Sequence, residues 1–451
     1  MNEAGTFATR LVAAGLDDGE RAGKTVLFER VIAQWSAHNR ARAPTAWWVP
    51  GRLEVFGTHT DYAGGRTLVA AVPRGFVFVS SSRHDGVITV VDAGQAGGDN
   101  SVVIEPAARP DRFRGWRHYV EVTAARLARN FPGAEFGSDI VFASDLPRAA
   151  GMSSSSALVV GTATALIHAA HLRDRDEWRR NIRTTVDEAG YLACIENGHT
   201  FGTLAGDGGV GTHGGSEDHA AMVAGAARAC TGFAFVPLRH LATVPMPEGW
   251  SVVVATSGIG SHKTGTERDA YNQLSEGARV LLALWNTSHP ARTSLADAIA
   301  SAPGALEELH RRIRETVVDG WTTETLAGRL AHFAGEDRRV GDAMLAIRNG
   351  DRDALGRLSA ESQSAAEQRL RNQVAETSAL VRVARDVGAF AARSFGAGFG
   401  GSVWALAPAD RAGALAEDWR AAYAAAYPQH HHIESFATRP APGVTRIELS
   451  E

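Results

Sequence analysis

Four consecutive hydroxyls, Ser153 to Ser156, follow Gly151 and Met152 in the run from Leu146 to Leu158. The residues before it, Ser138 to Ala143, read as a strand. Ala157 to Leu172, rich in Ala, Leu and Val, reads as a largely buried helix. The serines therefore sit on a strand-to-helix turn. A helix start leaves backbone N–H groups unpaired, and its dipole favours negative charge. Small residues let a phosphate approach those groups, and hydroxyls add hydrogen bonds or reach a phosphate-bound metal ion. One serine would be explained as a helix N-cap; four are more than capping requires. On this stretch alone, an anion site and a tight capping turn both stand.

Two further clusters carry chemistry. Between Gly51 and Gly65, Arg52, His59, Asp61 and Tyr62 fall close together among glycines. A carboxylate, an imidazole and a phenol suit a polyhydroxy ligand, because sugar hydroxyls both donate and accept. A surface turn with a local Asp–His contact is the plainer alternative. Gly202 to His219 is a glycine-rich loop leading into a short helix over Ala220–Ala227. Glu217 and Asp218 near the helix start complement its dipole. Asp218 is also placed to act as a base if the loop faces the serine turn. The histidines here lack metal-binding spacing.

Two glycine motifs mislead. Gly396, Gly398 and Gly401 spell G-x-G-x-x-G, but a helix is read before them and a strand after, the reverse of the dinucleotide context. A tight loop packed against another backbone fits better. Ser257 to Thr264 fails the Walker pattern, because His262 stands where glycine should precede Lys263. The triple histidine, His430 to His432, reads as solvated.

The elements that must position these residues span 451 residues, which favours two domains, 1–248 and 249–451. In the first, strands are expected at Ala46–Phe56, at Thr67–Ser81 (interrupted near Pro73) and at Gly86–Asp92, the last two in an antiparallel sheet. Helices are expected at Lys24–Ala41, Trp116–Arg129 and Trp178–Ile195. In the second, a strand is expected at Trp250–Ala255. Helices are expected at Asp269–Leu284, Ala305–Val318, Arg338–Asn349 and Arg352–Arg369. A net charge of −4 without a basic block argues against nucleic acid. No apolar run spans a bilayer. Two cysteines and an N-terminus without a signal-peptide layout point to the cytoplasm. A monomer or weak homo-oligomer is expected.

Three stretches together resemble the GHMP small-molecule kinases, the galactokinase branch most closely. Gly51-Arg52 through Gly57-Thr58-His59-Thr60-Asp61-Tyr62 is similar to the galactokinase sugar signature. Gly151 to Ser155 is similar to the family's ATP phosphate loop, and Gly396 to Gly401 to its third motif. Tyr271-Asn272 is a weaker echo. The resemblance implies an α/β (α+β) fold in two domains: an N-terminal S5-domain-2-like domain with a left-handed crossover and a C-terminal ferredoxin-like domain, with the active site in the cleft between them. It implies ATP with Mg²⁺ and phosphoryl transfer to the anomeric C1 hydroxyl of a galactose-like sugar. It further implies Asp218 as base with Arg52 as its partner, and Thr58, His59, Asp61 and Tyr271 at the sugar. Gly151, Ser153, Ser154, Ser155, Ser156, Gly398 and Gly400 would meet the nucleotide, and Ser155 and Glu196 the metal.

Two departures bear on substrate. Thr58 stands where galactokinases carry a glutamate, so a galacturonate- or arabinose-type sugar is an alternative to galactose. The glycines from Gly206 to Gly211 form an insertion that leaves Asp207 as a rival to Glu196 and would form a lid or reshape the pocket. A non-catalytic sugar sensor and a kinase for a non-sugar alcohol are the other readings. Retention of Arg52 and Asp218 argues against the first, and the Gly57–Gly65 signature against the second.

Overall fold

The computed structural model describes residues 3–38, 44–95, 100–106, 115–147, 150–260 and 265–449. Among these, one sheet contains β1 (Thr45–Phe56), β2 (Arg66–Ser82), β3 (Ile88–Asp92), β4 (Ser101–Ile104), β5 (Ser138–Ser144), β6 (Ala229–Ala234), β7 (Arg239–Pro245) and β12 (Thr445–Glu448). The second contains β8 (Trp250–Thr256), β9 (Ala391–Phe395), β10 (Ser402–Pro408) and β11 (Ser435–Thr438). Its order, β11-β8-β10-β9, is antiparallel throughout. With helices between β8 and β9 and between β10 and β11, this is a ferredoxin-like arrangement.

β1 and β2 form the long antiparallel pair at the centre of the first sheet. Their register slips where Pro50 faces Gly75 and Gly51 faces Val72, leaving Pro73 in a bulge. A residue without an N–H is tolerated there, so β2 continues through the expected interruption. β3 does not pair with β2, and the sheet is not antiparallel throughout as expected. β5 pairs with β2, and β3 runs parallel to β5 on its far side. β5 is buried along almost its whole length, and its Phe142 ring packs 5.8 Å from Phe76 and 5.5 Å from Phe78. A strand apolar on both faces belongs inside a sheet rather than at its edge.

The helix Ser154–Ala169 packs on this sheet with its serines at the N-terminus. The helix expected over Trp178–Ile195 is two, Asp176–Asn181 and Thr185–Asn197. Thr184 accepts from the Asp187 N–H while the Asp187 carboxylate accepts from the Thr184 N–H, a capping box that starts a new helix. The helix expected over Arg338–Asn349 begins earlier, at Thr323, capped by Thr322 and closed by a left-handed Gly350. This length lays His332, Glu336 and Asp337 against the β1–β2 connection. No helix of the described residues is long and apolar enough to cross a membrane.

Candidate active site

Arg52 and Glu54 lie two residues apart on β1, so both side chains leave the same face of the strand. Both line a cavity closed by the His59–Asp61 loop, the start of the serine helix, the Gly214–Gly215 turn and the Gly396–Ala397 turn. The side chains around it come from both sheets' connections, so the cavity sits between the two halves of the chain.

Asp218 is the most heavily held group in it. It occupies the first turn of the helix Glu217–Ala224 and is buried. Its Oδ1 accepts from Arg52 Nε at 2.5 Å. Its Oδ2 accepts from Ser153 Oγ at 2.6 Å and Ser156 Oγ at 3.1 Å. Arg52 also donates through Nη1 to the Gly151 carbonyl at 2.7 Å. One guanidinium therefore ties the strand, the carboxylate and the serine turn together, as its planar fork allows. Burial works against the Arg52 charge, but Asp218, Glu217 and Glu54 outweigh it and push its pKa up.

The sugar-signature residues divide. His59, Asp61 and Tyr271 line the cavity, and the His59 ring lies 5.5 Å from Tyr271 and 5.8 Å from Tyr62. His59 Nε2 is 3.1 Å from the Ala397 carbonyl, linking this loop to the glycine turn of the other sheet. Gly215 admits the Asp61 carboxylate so closely that a Cβ there would lie 2.0 Å from Oδ2. Thr58 is not among the lining residues. Its hydroxyl donates to Glu54, which does line the cavity, and accepts from Arg393.

Asp61 accepts from the N–H groups of Tyr62 and Glu217, at 2.8 and 3.1 Å. Burial nevertheless pushes its pKa up to about 6, against those two bonds. The folded protein thus holds this proton more tightly than the unfolded chain, so the group's contribution to stability declines as pH rises from about 4 to about 6. Two pK units correspond to about 3 kcal/mol. Asp61→Asn is expected to lack that decline and to gain about 1–3 kcal/mol on wild type between pH 4 and pH 7, read from urea unfolding at the two pH values. A difference that does not change with pH would contradict this.

On the phosphate side, Gly151 and Ser153 both have positive φ, 71° and 57°, which brings the serine turn round to the helix start. Ser154 is exposed, Ser155 half-buried and Ser156 buried. Arg148 and Ala149 of the same stretch, and residues 261–264 of the Walker-like stretch, lie outside the described residues. Glu196 lines the cavity, with Oε2 3.3 Å from His219 Nε2. Ser155 hydrogen-bonds the Tyr119 phenol, whose pKa burial first and then the Glu196 charge push up. Asp207, the rival to Glu196, instead accepts from the buried Arg126 at 3.1 Å and from the Gly209 N–H. The inserted glycines are tied down by Val210 N–H donating to the Glu196 carbonyl and by Asn272 beside Gly211 and His213. Thr212 and Gly214, which follow them, reach the cavity wall.

Gly396–Gly401 is the hairpin turn between β9 and β10, not the end of a helix. A Cβ on Gly398 would lie 2.3 Å from the Asn372 carbonyl, and one on Gly400 would lie 3.0 Å from the Ile259 carbonyl. Both residues also have positive φ, so glycine is needed here for backbone approach.

Two charged groups escaped the sequence reading, Glu54 in the cavity wall and Arg393 behind it, while Glu217, read there only as complementing the helix dipole, also lines the wall. Arg393 donates to Glu336 Oε1 at 2.9 Å and to Glu54 Oε1 at 3.2 Å, all three side chains being buried. The available signal was a charged residue inside an otherwise apolar buried strand, which requires a partner.

Comparison with known proteins bears on the family. Residues 36–82 match the family model "Galactokinase galactose-binding signature". Residues 118–191 match "GHMP kinases N terminal domain", and 343–425 match "GHMP kinases C terminal". The galactokinase of Chloroflexus aurantiacus is 28% identical over 389 residues, 85% of this chain and 88% of that protein. The galactokinase of Actinobacillus succinogenes is 26% identical over 375 residues, 82% and 86% of the two chains. In fold, the Lactococcus lactis galactokinase complexed with galactose matches with a TM-score of 0.74 at 18% identity, covering 94% of this chain and all of that one. A mevalonate kinase matches with a TM-score of 0.52 at 13% identity. Three matched stretches, relatives aligned over most of the chain and a shared fold make the chain similar to the GHMP kinases, and to galactokinases among them.

Proposed function

We propose that this protein is an ATP-dependent sugar kinase that phosphorylates the anomeric C1 hydroxyl of galactose or a closely related sugar. The observation that carries the reading is the Asp218 carboxylate, pinned between Arg52 and the serine turn in a cavity shared with His59, Asp61 and Tyr271. Phosphoryl transfer depends on in-line positioning and on offsetting charge more than on covalent help from the protein. Asp218 accepts the C1 hydroxyl proton as that oxygen bonds to the γ-phosphorus of ATP and the bond to ADP breaks. Arg52 fixes the angle of the carboxylate and offsets the charge that develops beside it. Asp61 and His59, with Tyr271, hold sugar hydroxyls, while the N–H groups at the start of the serine helix meet the phosphates. Gly398 and Gly400 let the β9–β10 turn close over the nucleotide side.

The residues present fit a magnesium ion. Ser155 and Glu196 offer hard oxygen donors, with phosphate oxygens and water left to complete the shell. When bound, Mg²⁺ would neutralise the charge on the transferred phosphate. Two free cysteines, Cys194 and Cys230, support a place in the cytoplasm.

The test is ADP formation with galactose, galacturonate, glucuronate, arabinose, fucose and N-acetylgalactosamine, followed by NMR of the product. A sugar 1-phosphate from galactose or a near relative is expected. No turnover on any of them while ATP and a sugar still bind would replace this reading with that of a sugar sensor.

A further inference from the structure

His219 lines the cavity but has no part in the chemistry described so far. It follows Asp218 in the first turn of the helix Glu217–Ala224 and is 2% exposed. Neither of its ring nitrogens has a hydrogen-bond partner. A neutral imidazole carries one donor and one acceptor, and burying both unmet is costly. Nε2 lies 3.3 Å from Glu196 Oε2, without the alignment of a hydrogen bond. Glu196 lines the same cavity from the end of another helix, Thr185–Asn197.

An imidazole nitrogen and a carboxylate oxygen at this separation suit two ligands of one ion. Two donors about 2.1 Å from a metal, with about 90–109° between them, lie about 3.0–3.4 Å apart. A nitrogen ligand also changes which ion is favoured. Mg²⁺ takes oxygen ligands, whereas imidazole suits transition ions, and affinity rises from Mn²⁺ to Co²⁺. Spacing along the chain could not show the pair, because its members sit on different helices. Among the described residues, no three His, Cys, Asp or Glu gather where they could hold a metal. His219 and Glu196 are therefore half a site, which the phosphate oxygens of a bound nucleotide and water would complete.

We propose that His219 Nε2 is a ligand to the divalent cation, so that the site selects Mn²⁺ and Co²⁺ over Mg²⁺ and fills only together with nucleotide. The proposal rests on the kinase reading and deepens it: Glu196 keeps its place at the metal, and an imidazole joins it. The ion takes up the Nε2 lone pair, with the ring proton on Nδ1.

Pulsed EPR of Mn²⁺ bound with a non-hydrolysable ATP analogue, its base labelled with ¹⁵N, reads the ligand directly. The ¹⁴N coupling of a metal-bound imidazole is expected in wild type and absent from His219→Gln. Calorimetry with the same analogue is expected to rank Co²⁺ above Mn²⁺ and Mn²⁺ above Mg²⁺. His219→Gln is expected to lower the Co²⁺-to-Mg²⁺ affinity ratio by about tenfold or more, the scale on which groups around a metal set its affinity. A purely structural role would weaken all three ions together and leave that ratio unchanged. A wild-type spectrum without the ¹⁴N coupling overturns the proposal, whether or not the variant folds. An unchanged ratio in a variant shown by thermal melting to be folded overturns it too, as does equally tight Mn²⁺ binding without nucleotide. If no sugar is phosphorylated, the kinase reading fails alone, and the spectrum still decides the ligand. A chain that binds neither nucleotide nor ion overturns both.

Discussion

Asp218→Asn is expected to lower kcat by about a thousandfold while leaving KM for the sugar within a few fold, the range in which a general base acts. The carboxylate accepts from Arg52 Nε and from the hydroxyls of Ser153 and Ser156. An amide in its place keeps the volume but cannot take a proton. Its NH₂ must also face either the guanidinium, which has no acceptor, or the serine hydroxyls, which must rotate to accept. The groups proposed to hold the sugar are others, Asp61, His59 and Tyr271, which line the same cavity. The split between kcat and KM is therefore the diagnostic reading. Steady-state ADP release checks it, with a thermal melt to show that the variant folds. Turnover within tenfold of wild type in a folded variant would remove Asp218 from its role.

The second large effect falls on stability. Arg393→Met is expected to destabilise the protein by about 3–5 kcal/mol, because removing one partner strands buried charges on the others. Arg393 is 1% exposed and bridges Glu54 of the first sheet to Glu336 of the long helix. Burial alone would raise the Glu336 pKa, yet Arg393, His332, Arg339 and the Gly57 N–H bring it down to about 2. A carboxylate held below its ordinary 4.5 contributes stability above that pH and loses it as pH falls toward 2. Without Arg393 that loss should begin at higher pH. Urea unfolding at pH 7 and pH 4 measures both effects. Adding Glu54→Gln and Glu336→Gln to the same chain should restore part of the stability, since the stranded charges are gone. A loss below about 1 kcal/mol would mean that water reaches the network and screens it.

Much of the site could be read before the fold was known, and the reasons are local. Ser153 to Ser156 follow a strand and open a helix, so their placement needed only short-range pattern. Arg52 and Asp218 were paired by family resemblance, and the chain brings them together across 166 positions. What could not be read depends on contacts between sheets. Glu54 and Arg393 lie 339 positions apart, and neither strand alone shows what its charge meets. The stretch before Gly396 is read as a helix from sequence, yet Ala391–Phe395 there is β9. Pairing with β10 decides that it is a strand. Thr58 looked like a specificity residue by position in its motif. The direction of its side chain was fixed by Glu54 and Arg393, neither of which the motif contains.

The strand Thr445–Glu448 pairs with Thr45–Trp48, and Ala441 bonds to Ala71 just before it. The outer edge of β1 is thus covered by a segment that leaves the ribosome only after the whole second sheet has been made. Throughout synthesis, the strand that carries Arg52 and Glu54 has an open hydrogen-bonding edge, a template for pairing with a neighbouring nascent chain. A chain cut before residue 440 would keep every residue assigned here to catalysis and still carry that open edge. Loss of yield through aggregation, rather than loss of chemistry, is the expected fate of such a truncation.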